Sequence, residues 1–416
     1  MKWREIRQFG APIAICAAAV SIAPMKSNHV PIAMAALLIA ATPARADFSS
    51  CLSGLRHSAA QSGVSSATIS AATDGLEPND AVGFMGKQPE FTTPVWDYVA
   101  GLVDEERVAE GRDMLRRHAN ALRAAEGRFG VDAATIVAVW GVESDFGKTF
   151  GKRPVVQSLA TLACQAPRRN DYFKKEFIAA LKVLQHGDIR ADEFVGSWAG
   201  AFGHTQFMPS TFLATAVDLD GDGRRNIASS AADSLGSTAN YLRKSGWRNG
   251  MRWGFEVRLP SGYSGPSGRR NRQSMAAWEA RGIRRIDGSS LGEAGSAALL
   301  LPAGRNGPAF LVTRNFDAIY AYNAAESYAL AISVLSDRLR GRPGIQAPWP
   351  TDDPGLSRAE RRELQALLTS HGYDVGEPDG VIGTKTREAI ADFQGRAGLS
   401  RNGRASKKTL DALRGR

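Results

Sequence analysis

At 416 residues, with 43% hydrophobic and 23% charged side chains, the chain exceeds one ordinary domain and can bury a sizeable core. Two or three modules are expected, and a disordered or fibrous chain is excluded. The net charge of +10 suits an anionic polymer as partner and equally suits a plain solvated surface. Residues 1–46 read as an export segment: Lys2, Arg4 and Arg7 precede an apolar run, and a second basic start follows at Met25-Lys26. Residues 31–41 form a signal core and Ala44-Arg45-Ala46 fits a cleavage site, with Met25 a candidate initiator. Neither apolar run approaches the ~20 residues of a spanning helix. Cys16 follows Ile15 rather than a small residue, so no lipid anchor is expected. Beyond this segment only Cys51 and Cys164 remain; they either pair or stay as two buried thiols, and their spacing decides nothing.

Residues 48–73 carry two amphipathic helical patterns, residues 88–94 read as an extended stretch bounded by prolines, and residues 95–129 read as one long charged helix. The sequence IVAVWGVESDFG at 136–147 follows. Helical spacing puts Ile136, Val139, Trp140, Glu143 and Phe146 on one face, with Asp132 as N-cap and Gly147 as stop. That stripe predicts a buried side with Glu143 on it, and a carboxylate there needs a partner or a job. Further helices are expected over 155–162 and 172–184. In VGSWAGAFGHTQFMPSTF, residues 195–212, Gly196, Gly200 and Gly203 permit close backbone approach, Pro209 marks a turn into a helix, and Gln206 places an amide among apolar neighbours. Together these read as a cleft wall.

Three motifs in combination, GVES-x-x-G at 141–147, PRR at 167–169 and AGAFGHTQFMPS at 199–210, resemble the lytic murein transglycosylases of the membrane-bound B family over about residues 48–339. The resemblance implies a lysozyme-like, mainly α catalytic domain over residues 47–341 and makes Glu143 its sole acid/base. It implies that Ser197 and Gln206 hold sugar or acid groups near that glutamate and that Arg168 and Arg169 meet substrate carboxylates. Bidentate guanidinium geometry suits that last task. Asp218, Asp220 and Asp222 open a D-x-D-x-D-G calcium loop. Arg224 could add only a backbone carbonyl there, Ser229 stands where a closing acid is expected, and Asp233 is the substitute; the alternative is a turn whose acids pair with Arg224 and Arg225. No cofactor is expected for the chemistry; the metal would be structural calcium.

Tyr241 lies on a helix over 231–244 and matches a cleft tyrosine of the family. From Gly254 the texture becomes strand-like, predicting a small β-containing lobe inserted before the last helix, so the fold class is α+β, mainly α. Tyr322, Asn323 and Tyr328 match a family pattern lining the substrate groove, with Ala321 where relatives often have Arg. Residues 342–355 are Pro-rich and read as a linker. Beyond them D-G-V-x-G-x-x-T at 379–386 resembles the core of the three-helix peptidoglycan-binding module, about residues 356–416.

Glycoside cleavage usually needs two carboxylates. The motifs supply one, with Asp145 on another helix face. A single acid suffices if the substrate brings its own nucleophile, and the resemblance implies attack by the muramic acid C6 hydroxyl to give a 1,6-anhydro end. The rival readings are a hydrolytic muramidase of the same fold and a noncatalytic wall-binding scaffold. Glycan strands of peptidoglycan are the expected partner, with cell-wall synthesis enzymes as candidate protein partners. A monomer in the periplasm is expected, and no nucleic acid.

Overall fold

The computed structural model describes residues 48–292 and 295–415; the export-segment reading of residues 1–46 lies outside them. Two helical cores meet along the site. One gathers Ile136, Val139, Trp140, Leu235, Tyr328 and Leu335, the other Leu159, Phe177, Phe202, Phe207 and Phe212. Helix Phe48–Gln61 is stapled to helix Val155–Gln165 by a Cys51–Cys164 disulfide with Cα atoms 5.8 Å apart. A staple across so long a loop stabilises by roughly 4 kcal/mol through the unfolded chain.

Helix Ala133–Ser144 is the central rod. Asp132 caps it, accepting from Thr135 N at 2.9 Å. The expected stripe is corrected here: every residue from Ala134 to Gly141 is buried, because helices Glu105–Arg117, Ala119–Phe129, Ala231–Lys244 and Glu326–Leu339 surround it. Phe146 is off the helix altogether. Asp145, Phe146 and Gly147 follow one another at φ 50°, 57° and 85°, folding the Phe146 ring back to 5.9 Å from Trp140. Left-handed backbone at two non-glycine residues costs on the order of 1–2 kcal/mol each. Asp145 is held there by Arg107 at 3.4 Å and Arg358 at 3.1 Å.

Two further expectations change. The long helix over 95–129 is three helices, Val95–Leu102, Glu105–Arg117 and Ala119–Phe129; Asp104 breaks it by turning its carboxylate onto Arg107 N at 2.9 Å. The stretch over 88–94 is not extended throughout, since Pro89 starts a single helical turn, Pro89–Thr92.

The β-containing lobe is a five-stranded antiparallel sheet in the order Arg272–Ser274, Ser296–Leu300, Ala309–Val312, Gly254–Arg258, Arg284–Arg285. Its central strands are buried on both faces. Ala298, Leu300, Phe310 and Val312 join the main helical core, whereas Ala297, Leu299, Ala309 and Leu311 enclose Trp278 on the other side. That two-sided burial explains strands written as continuous apolar runs.

Helices Arg358–Ser370, Thr384–Arg396 and Lys407–Leu413 pack around Leu364, Leu368, Ile390 and Leu410. Ser357 and Glu360 form a capping box at the first of them. Residues 342–355 hold no helix or strand, yet they lie along the body: Glu256 accepts from the Gln346 and Ala347 amides, both at 2.8 Å, and Trp349 sits 6.4 Å from Trp96. Arginines join the C-terminal helices to the acidic side of residues 97–110. Arg404 binds Asp97 at 2.7 Å, Arg362 pairs with Glu106, and Arg358 lies 3.7 Å from Glu110. Among the described residues no helix is long and apolar enough to cross a membrane.

Candidate active site

Glu143 leaves the central helix in its last turn, where the surrounding helices open, and is half-buried. Among the described residues its hydrogen-bond partner is Tyr328, whose hydroxyl donates to Oε1 from the first turn of helix Glu326–Leu339. Burial pushes the Glu143 carboxyl up to about 8; the nearby charge of Glu90 adds to this and the Tyr328 hydrogen bond opposes it. A carboxyl of this kind carries its proton at neutral pH.

The wall beside it is aromatic. Tyr328 stacks on Tyr322 at 6.2 Å, Tyr322 meets Tyr241 edge-on at 4.7 Å, and Phe207 lies 5.7 Å from each of the latter two. The hydroxyls are tied to carbonyl oxygens: Tyr322 donates to Thr205 at 2.8 Å and Tyr241 to Ala321 at 2.7 Å. Burial and the charge of Glu143 hold Tyr322 and Tyr328 well above the ordinary phenol range, and burial pushes Tyr241 up to about 12. All three therefore remain neutral donors. Tyr98 is raised in the same way, by burial and then by Glu90 and Glu143, which puts it within electrostatic reach of the site.

The other expected residues sit differently. Gln206 adopts φ 48°, and its amide nitrogen is taken by Gly203 O at 2.9 Å and Phe150 O at 3.2 Å, so what it can offer a ligand is its carbonyl oxygen. Ser197 Oγ accepts from Ala199 N at 3.3 Å and Ala201 N at 3.2 Å, which leaves its hydroxyl proton to donate. Among the described residues neither hydrogen-bonds Glu143. A Cβ on Gly196 would lie 2.1 Å from Ala201 O, so this loop turns as tightly as its glycines suggest. Arg168 and Arg169 are both exposed; Arg169 stands at φ 70° with its guanidinium 4.4 Å from the Tyr172 ring centre. No hydrogen bond or ion pair among the described residues joins them to Glu143. Asn323 Nδ2 donates to Glu90 Oε1 at 3.2 Å.

Three residues escaped the sequence reading. Glu90 and Tyr98 come from segments read only as an extended stretch and a charged helix. His204 accepts from Trp140 Nε1 at 2.9 Å, and burial holds it down to about 4, so it is neutral. Ser144 Oγ donates to His204 O at 2.7 Å. Trp140 and Ser144 thus lash the Glu143 helix to the glycine-rich loop. A clue was present, since both lie in the stretch 136–147 that carries Glu143.

Asp218, Asp220, Asp222 and Asp233 each turn a carboxylate oxygen into one cluster, all within 4.8 Å of one another. Asp233 is fully buried and pins the loop at both ends, accepting from Leu219 N at 2.8 Å and Asn226 N at 2.7 Å. Arg224 is drawn to Asp188 O at 3.2 Å, and Ser229 Oγ accepts from Asn226 Nδ2 at 2.7 Å, so among the described residues the alternative turn, with these acids paired to Arg224 and Arg225, is not what forms. Arg225 pairs with Asp188 instead. Four hard oxygen donors fit a calcium ion.

Residues 47–337 match the Transglycosylase SLT domain family, and residues 357–413 match a peptidoglycan binding domain family. Membrane-bound lytic murein transglycosylase B of Escherichia coli (strain K12) is 31% identical over 264 residues, 62% of this chain and 71% of that protein. Among solved structures, SltB3 from Pseudomonas aeruginosa in complex with NAG-anhNAM-pentapeptide is similar with a TM-score of 0.71 and 43% identity, over 89% of this chain and 100% of that one. The Escherichia coli lytic transglycosylase Slt35 in complex with calcium superposes with a TM-score of 0.62 at 27% identity, over 70% of this chain and 92% of that one.

Proposed function

This chain belongs to the SLT-type lytic transglycosylases, enzymes that cleave peptidoglycan, and from that premise we propose that Glu143 alone carries both proton transfers of a cleavage without water. The observation that supports this most directly is an acid whose carboxyl burial pushes up to about 8, beside a neutral tyrosine. Glu143 gives its proton to the oxygen of the MurNAc-GlcNAc β-1,4 bond as the C1–O bond breaks. The C6 hydroxyl of the same MurNAc then attacks C1, and its proton goes to the Glu143 carboxylate. The product ends in a 1,6-anhydro ring, Glu143 is again protonated, and water is neither consumed nor released. The relative SltB3 binds NAG-anhNAM-pentapeptide, a fragment of that chemical kind.

Around this centre we assign Tyr328 to orient the acid and Tyr322, Tyr241 and Asn323 to form the groove wall. Ser197 would donate to, and Gln206 accept from, the sugar's polar groups, and Arg168 and Arg169 would meet carboxylates of the peptide stem. Calcium would be held by Asp218, Asp220, Asp222 and Asp233, cross-linking their loop and taking no part in the chemistry; Slt35, a relative, is a calcium complex. Residues 357–413 would hold the glycan strand. The disulfide supports action in an oxidising compartment, consistent with the periplasm.

The hydrolytic reading draws on one observation, the second carboxylate, Glu90, near Glu143. Digestion of purified sacculi followed by mass analysis separates the two. Anhydro ends are one water lighter than hydrolytic ends, and a digest holding only reducing ends would overturn the proposal.

A further inference from the structure

Glu90 sits on the isolated turn Pro89–Thr92, where Pro89 and Thr92 are exposed and Phe91 is left 60% exposed. Ordinary burial would turn the phenylalanine inward and the acid outward. Here the acid goes in. Ser327 Oγ donates to Glu90 O at 2.9 Å, and Asn323 Nδ2 holds its carboxylate at 3.2 Å. The residue after Ser327 is Tyr328, which donates to Glu143. One helical turn therefore grips the backbone of the first acid and the carboxyl of the second.

We propose that Glu90 is a positioning residue for the proton of Glu143: a carboxylate fixed by Asn323, whose negative charge beside the acid keeps the proton in place until the glycosidic oxygen takes it. The proposal rests on Glu143 acting as the acid. Among the described residues, the other titratable and charged groups around Glu143 are neutral or committed elsewhere. Tyr98, Tyr241, Tyr322 and Tyr328 are held as neutral phenols, His204 is neutral, and Arg107 is engaged by Gly141 O and Asp145. Glu90 is the net charge acting on Glu143 among the described residues, and its effect is to raise the acid's pKa. A carboxylate in this place would also favour the positive charge that develops at C1 as the bond breaks.

The test compares kcat/KM against pH for muropeptide release by the parent and by Glu90→Gln, which keeps an oxygen for Asn323 and removes the charge. The alkaline limb reports the acid of the free enzyme. It should move down by about 0.5–1 unit, so that Glu90→Gln loses about three- to tenfold more rate at alkaline than at acidic pH. Glu90→Asp, which restores the charge, should return the limb toward the parent. Should Glu90→Gln fail to fold by circular dichroism, Glu90→Ala reads the same limb. An unmoved limb, or an equal loss at all pH values, overturns the proposal. So does disappearance of reducing-end products in Glu90→Gln, which would make Glu90 a water-activating base. If Glu143→Gln keeps activity, the functional reading itself has failed; if Glu143→Gln is dead and the limb is unmoved, only the Glu90 assignment has.

Discussion

Two groups of carboxylates in this molecule are treated in opposite ways. In the cluster of Asp218, Asp220, Asp222 and Asp233, backbone amides converge on every acid: Gly221 and Gly223 donate to Asp218, Asp222 to Asp220, Arg224 to Asp222, and Leu219 and Asn226 to Asp233. At Glu143, among the described residues, a single phenol donates. Donors favour the ionised form and burial without donors favours the neutral one. Carboxylates dressed with amides are prepared to hold a cation, and a carboxyl left nearly bare is prepared to give away a proton. Asp233 marks the boundary between the two regimes: burial raises its pKa while its backbone hydrogen bonds pull it back down.

The largest expected effect breaks the comparison at its bare end. Glu143→Gln keeps the shape and removes the proton, so muropeptide release from sacculi should fall by about 10³-fold or more, at the upper part of the range for a general acid/base. Retained activity in a folded variant would return Glu143 to a structural carboxylate. At the dressed end, calcium should raise the melting temperature of the parent over that in chelator by several degrees, about 2.7 kcal/mol when the ion is at a hundredfold excess over its dissociation constant. Asp220→Asn with Asp222→Asn should abolish that rise. Identical melts of the parent in calcium and in chelator would mean that the amides alone satisfy the loop.

Much of this contrast could be read from residue types. GVES, the D-x-D-x-D-G run and the Tyr322-Asn323…Tyr328 spacing each sit in one short stretch, and local stretches are what sequence patterns report. The β-containing lobe was legible from its strand-like texture and the C-terminal module from its D-G-V-x-G-x-x-T run. What escaped was built from distant parts. Glu90 reaches Asn323 across 233 positions, and an acid after a proline in an exposed turn gives no periodic signal. The helix carrying Glu143 was misjudged for a related reason: Ile136, Val139 and Trp140 fit a stripe, but four neighbouring helices bury the whole circumference. At Asp104 the capping signal was present in the Asp-Glu-Glu run and was outweighed by the apolar spacing across it. The arginines Arg358, Arg362 and Arg404 look like solvated charge until their acidic partners on residues 97–110 are seen.

A subtler change sharpens the comparison. Tyr328→Phe strips Glu143 of its phenol, and because that hydrogen bond opposes the effect of burial, the alkaline limb of the rate profile should move to higher pH. This is opposite in sign to Glu90→Gln. The rate itself should drop about tenfold through loss of orientation. Shifts of the same sign in both variants would mean that one of the two residues does not act on the acid as assigned.

The last effect is on stability. Glu143 is raised from an ordinary 4.5 to about 8, so between these values the native chain holds a proton that the unfolded chain has released. Unfolding then releases a proton, and by linkage the stability of the parent falls as pH rises across that window and levels off above about 8. Glu143→Gln has no such proton. Its melting temperature should match that of the parent near pH 4.5 and exceed it by a margin that widens up to about pH 8. Thermal melts at three or four pH values measure the gap directly. A constant gap would show that the carboxyl ionises in the folded protein as it does in water, and the bare end of the comparison would then be no different from the dressed one.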